Sequence, residues 1–200
     1  MVPWPGSLLP FLLLAPASLL AQAAPLPPLS FLGFEAGASL TTVGQQVAVL
    51  GGRALRCKRA TRDRSVVECR AHVVDPGSRR VVDLWLSAMD SAAGVLTLSS
   101  PLSGVELDGW RSGLETAFGT VDAYVQGPQW MLQWVRSGRM LRLTWRIERG
   151  EKVASVSLVD GRVLDGWGRR REAEPAKEIR PAQPARRARE TPPPAPAATP

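Results

Sequence analysis

Reactive side chains are scarce in this 200-residue chain. It has one histidine, His72, and two cysteines, Cys57 and Cys69. The usual four-coordinate zinc site takes four protein ligands, more than a lone cysteine pair and one histidine supply. No CxxC, GxSxG, HExxH, P-loop or Ser-x-x-Lys with its companion motifs occurs. His72 falls on the polar side of a predicted strand and reads as a surface residue, and no particular pair of carboxylates stands out. The expectation is a protein that is not an enzyme, with no catalytic, cofactor-binding or metal-binding residue.

The cysteines suit a different role. A hairpin centred near Asp63 sets Cys57 opposite Cys69 and Lys58 opposite Glu68. Opposed positions on antiparallel strands are close enough for a disulfide. Closing so short a loop contributes about 3 kcal/mol in the chain-entropy model. Nothing nearby marks the pair as a redox switch.

The residue types able to bind, tryptophan and arginine, crowd into "WMLQWVRSGRMLRLTW", residues 130–145. A two-residue turn at Ser137-Gly138 pairs Trp134 with Leu141, Leu132 with Leu143 and Trp130 with Trp145. A second turn at Arg149-Gly150 pairs Leu141 with Leu158, Leu143 with Val156 and Trp145 with Ala154. Both turns put the same residues on one face, so Trp130, Trp134 and Trp145 are expected in the core. The other face receives Met131, Gln133, Arg142, Thr144 and Arg146. Upstream, a turn in "DPGS" at 75–78 sets Cys69 against Leu84, Ala71 against Val82 and Val67 against Leu86. Arg70 then faces Asp83, and Glu68 faces Trp85, on the reverse side. A turn near Ser91 brings Leu96 beside Leu86 and Leu98 beside Leu84.

Each group of strands follows a helical stripe. Leu40, Val43, Val47 and Leu50 end at Gly51-Gly52; Leu107, Trp110, Leu114 and Ala117 or Phe118 end at Gly119. Ser103 and Glu106 form a capping-box pattern. A shift of 67 residues lays Leu40 on Leu107, Val43 on Trp110, Val47 on Leu114 and Gly52 on Gly119. The expected fold is α+β: two similar halves, 39–100 and 101–168, each one helix followed by a four-stranded antiparallel sheet, with the helices packed on one face.

The flanks differ in composition. Leu8–Leu20 is apolar but too short to span a bilayer and ends in Ala21-Gln22-Ala23, so residues 1–23 read as a signal peptide, with an uncleaved anchor as the alternative. Residues 24–38 read as an extended lead-in. Residues 169–200 hold eight basic and four acidic residues, a net of +4 out of the chain's +7, and few apolar ones; they read as a disordered tail. The remaining +3 (7 − 4 = 3) makes the folded part mildly basic and gives no case for specific nucleic-acid binding.

The segment "FEAGASLTTVGQQVAVLGG", residues 34–52, resembles the opening of envelope domains of the outer-membrane assembly lipoprotein type, and the helix-plus-four-strand plan is similar to beta-lactamase inhibitory protein. The resemblance implies a non-enzymatic, protein-binding module outside the cytoplasm; no lipobox cysteine is present, and no family binding residue transfers by motif. The sequence thus points to an exported protein, periplasmic or extracellular, whose partner is another envelope or secreted protein. The candidate contact residues are Arg70, Trp85, Met131, Gln133, Arg142 and Arg146, since tryptophan, arginine and methionine are enriched at protein contacts. In the alternative, the tail arginines Arg169, Arg170, Arg171, Arg186, Arg187 and Arg189 hold an anionic surface and the fold is purely structural. The terminal Pro run reads as a spacer.

Overall fold

The computed structural model describes residues 26–173, with side chains through Arg169. The segment expected to be a signal peptide, the start of the expected lead-in and most of the basic tail lie outside the described residues. A short hairpin, β1 (Ser30–Phe31) and β2 (Phe34–Glu35), precedes α1 (Leu40–Val49). Then come β3 (Arg56–Arg59), β4 (Val66–Val74), β5 (Val81–Met89), β6 (Ala92–Leu102) and α2 (Gly104–Phe118). The chain continues through β7 (Tyr124–Gln126), β8 (Gln129–Arg136), β9 (Arg139–Glu148) and β10 (Glu151–Asp160) to α3 (Gly161–Ala173).

The fold is not two halves with a four-stranded sheet each. A single eight-stranded antiparallel sheet runs in the order β3-β4-β5-β6-β10-β9-β8-β7. β6 and β10 join from Leu102↔Lys152 to Val95↔Val159. Two separate sheets would leave both strands as edges, with a row of unpaired backbone groups and apolar side chains beside them. Pairing removes both edges and brings Leu96 and Leu98 beside Leu158 and Val156, all fully buried. The β1–β2 hairpin and α3 also lie outside the expected plan.

One face of the sheet carries the core. Val43 and Val47 of α1, Leu107, Trp110, Leu114 and Phe118 of α2, and Phe31 and Phe34 of the hairpin bury into one cluster with the inward strand residues. Phe31 meets Trp110 edge-on, with ring centroids 4.8 Å apart. The expected capping box forms: the Ser103 hydroxyl accepts from the Glu106 amide, and the Glu106 carboxylate accepts from the Ser103 amide. At the other end of α2, Trp134 Nε1 donates to the Gly119 carbonyl at 2.7 Å, and Arg136 donates to that of Phe118 at 2.6 Å. The helix end is thereby pinned over β8 with a cation at its negative pole.

The Ser137-Gly138 and Arg149-Gly150 turns have positive φ at both positions, as a two-residue hairpin loop requires, and they set the expected β8–β9 and β9–β10 registers. The β4–β5 hairpin differs by two residues. Cys69 lies opposite Leu86, Ala71 opposite Leu84 and Arg70 opposite Trp85. The connection is longer than a four-residue turn: the Asp75 amide donates to the Arg80 carbonyl, and the Arg79 amide to the Asp75 carbonyl. The Asp75 carboxylate holds this loop by accepting from the Gly77 amide, the Ser78 hydroxyl and Trp110 Nε1. Burial pushes its pKa up, but these hydrogen bonds outweigh burial and leave it below its ordinary value. A shift of two keeps every side chain on its face while changing its neighbours.

α3 continues past Arg169, where a disordered tail was expected. Asp160 caps it, accepting from the amides of Arg162 and Val163. The helix lies across one end of the face opposite the core. Val163 and Leu164 sit so close to Gly94 that a Cβ there would be 3.2 Å from each, beside Met89. Trp167 Nε1 donates to Asp63 at 2.8 Å, tying the helix to the β3–β4 loop. The sequence signal was a capping Asp followed by Val163, Leu164 and Trp167 at helical spacing.

Candidate binding face

Cross-strand partners point to the same face. From one strand to the next, the registers trace a line over the open face: Arg56–Arg70–Trp85–Thr97–Ser157–Arg142–Gln133. Four expected contact residues, Arg70, Trp85, Arg142 and Gln133, fall on it. Seven strands at about 4.8 Å spacing make the line roughly 29 Å long. The Thr97 and Ser157 hydroxyls are hydrogen-bonded at 3.1 Å across the β6–β10 seam. Arg142 donates twice to the Gln133 side-chain oxygen, at 2.7 and 3.0 Å.

The electrostatics differ along this line. Arg56 and Arg70 are directly opposed and exposed, and neither forms an ion pair among the described residues. Like charges opposed across strands are unfavourable unless something anionic neutralises them. Trp85, half-buried, lies beside Arg70. These residues and His72, Asp83, Thr97 and Ser99 line a cleft of about 350 Å³. His72 meets Asp83 at 2.6 Å on the neighbouring row, so its expected surface position holds, with a carboxylate partner.

The other two contact candidates are placed differently. Met131 is fully buried although its face is the open one. Its cross-strand neighbour Tyr124 donates its hydroxyl to Gln133, two residues beyond Met131 on the same strand and face. Arg146 lies off the line and is paired with Glu148. Of the tail candidates, Arg169 is exposed on α3. The side chains of Arg170 and Arg171, and all of Arg186, Arg187 and Arg189, lie outside the described residues.

The three tryptophans expected in the core do not share one environment. Trp134 is buried, but Trp130 is 50% exposed and Trp145 is only partly buried. All three have the expected facing; what differs is the cover. α2 ends above Trp134, and four residues along an extended strand is about 13 Å, so no helix covers Trp130. Trp130 and Trp145 stack on each other at 6.3 Å with 9° between their planes.

Cys57 and Cys69 form the expected disulfide. It ties the wholly exposed edge strand β3 to β4 and fits a protein that matures in an oxidising compartment. Among the described residues no group of three His, Cys, Asp or Glu side chains could hold a metal, and no helix is long and apolar enough to cross a membrane. Comparison with protein families, with curated proteins and with solved structures found no match to this chain.

Proposed function

We propose that the protein is an exported, non-enzymatic binding module that recognises another envelope or secreted protein through the open face of its sheet. The supporting observation is the unneutralised pair Arg56 and Arg70 beside Trp85, on a line of hydrogen-bonding side chains that crosses seven strands. A partner with carboxylates opposite the arginines and an apolar side chain opposite Trp85 matches this surface. At about 29 Å across, the face is the size of one side of a standard interface, roughly 800 Å². Guanidinium groups pair with carboxylates bidentately, so such binding is specific and weakens with salt.

The test is cross-linking capture from the exported fraction with the intact chain and with an Arg70→Ala/Trp85→Ala/Arg142→Ala variant, read by mass spectrometry. Loss of a specific protein from the variant, with an unchanged melting temperature, is the expected result. Equal capture by both chains overturns the proposal. A chain ending at Ala173 in which Arg169, Arg170 and Arg171 are also replaced by Gln separates this reading from attachment through the tail arginines: it retains capture if the open face binds and loses it if the tail does.

A further inference from the structure

On the face that carries the helices, the corner formed by β7, β8 and β9 has no cover. Val125, Trp130 and Trp145 are successive cross-strand neighbours there, and Ile147 lies two residues beyond Trp145 on the same strand and face. Val125 is 55% exposed, Trp130 50% and Ile147 72%. Two parallel indole faces flanked by aliphatic side chains form an apolar platform at the edge of the sheet. The indole N–H groups set this corner apart from the tryptophans that pack beneath or beside the helices. Those of Trp110, Trp134 and Trp167 donate to Asp75, Gly119 and Asp63, whereas those of Trp130 and Trp145 donate to nothing among the described residues.

A segment that suits such a platform has flat apolar rings, exposed carbonyl acceptors and few N–H groups of its own. Polyproline II chains have all three and are pre-organised, which keeps the ordering cost low. This chain carries a proline-rich sequence of that kind, "TPPPAPAATP", at residues 191–200. We propose that this Pro-rich segment docks on the Trp130–Trp145 platform of its own chain, with proline rings on the indole faces and prolyl carbonyls accepting from the free indole N–H groups. Reach permits it. The 17 residues between Ala173 and Thr191 extend to roughly 55–60 Å, against roughly 30 Å across six strand spacings and about 10 Å for the sheet's thickness. The segment that reads from composition as a spacer thereby gains a site, on the face opposite the one proposed for the partner.

The experiment compares the full chain with one ending at Glu190 by ¹⁵N–¹H spectra of the tryptophan indoles, assigned with Trp130→Phe and Trp145→Phe. Removing the last ten residues is expected to move the Trp130 and Trp145 indole resonances and leave those of Trp110 and Trp134 in place. Replacing Pro192, Pro193, Pro194 and Pro196 with Ser in the full chain is expected to reproduce the shifts without touching the folded part. Resonances that stay put in both variants overturn the proposal. So do differences that disappear when the full chain is diluted, since docking within one chain is independent of concentration. Partner capture through Arg70 and Trp85 is read separately and is unaffected by either tail variant.

Discussion

Replacing Asp160 with Ala should be among the most damaging single changes in the protein, because this buried carboxylate joins three elements. Its side chain is 2% exposed. Oδ1 accepts from the amides of Arg162 and Val163 at 3.0 and 3.3 Å, which makes it the N-cap of α3 and contributes about 1 kcal/mol. Oδ2 accepts from Arg139 Nε at 2.9 Å; that guanidinium is largely buried, and the charge-assisted bond contributes about 1–2 kcal/mol. The second guanidinium, Arg162, is 67% exposed, so solvent screening leaves it about 0–1 kcal/mol. Together these give a loss of about 3 kcal/mol, or roughly 10 °C in Tm for a domain of this size. Asp160→Asn keeps an acceptor for the helix amides and loses the charge, so it should fall by about half as much. The assay is thermal and urea unfolding of the three chains. A shift below about 2 °C for Asp160→Ala would refute the reasoning. pH provides a second readout. Burial pushes the Asp160 pKa up, but hydrogen bonds from Arg162 and Arg139 hold it below the ordinary 3.8. A carboxylate depressed in the folded state stabilises above its unfolded pKa and loses that contribution as pH falls through the folded value. The gap between native and Asp160→Ala chains should therefore narrow below pH 3.8 and remain constant above it.

Two further outcomes are expected. Glu106 is held down to about 2, first by the hydrogen bond from Arg80 and then by those from Ser103, so its contribution is complete above its ordinary 4.5 and fades between there and pH 2; unfolding of Glu106→Gln against the native chain should converge over that interval, and a constant difference would reject the assignment. Reducing the Cys57–Cys69 disulfide should cost about 3 kcal/mol and speed amide exchange first in Arg56–Arg59, the edge strand it staples, whereas uniform loss of protection would mean the bond supports the whole sheet.

Local rules explain which features were legible in the sequence. Ser137-Gly138 and Arg149-Gly150 set their registers because a two-residue loop with positive φ admits few alternatives, and the Ser103–Glu106 box starts α2 by contacts within four residues. The misplaced features depend on longer-range information. Alternation assigns Trp130 a face and is silent about whether a helix extends over it. The register of β4 on β5 rests on Asp75, whose carboxylate is held by an indole 35 residues away. α3 hides in an arginine-rich composition because its apolar side is a short stripe that meets a glycine, Gly94, on a strand far back in the chain.

The candidate site shows the same division. Arg70 and Trp85 lie on strands before α2, Arg142 and Gln133 on strands after it, and residue patterns alone place each pair on a polar face. Only the β6–β10 pairing, between residues about 60 apart in sequence, sets Thr97 opposite Ser157 and so brings the four residues into one line. A slip of two residues at that seam would keep every side chain on its face, and the core would look equally apolar. Thr97 would then face Ser155, and the line would continue through Thr144 to Met131, with no cation beyond Trp85. The charge pattern offered to a partner is therefore decided by the longest-range contact in the sheet, and the sheet stays continuous either way.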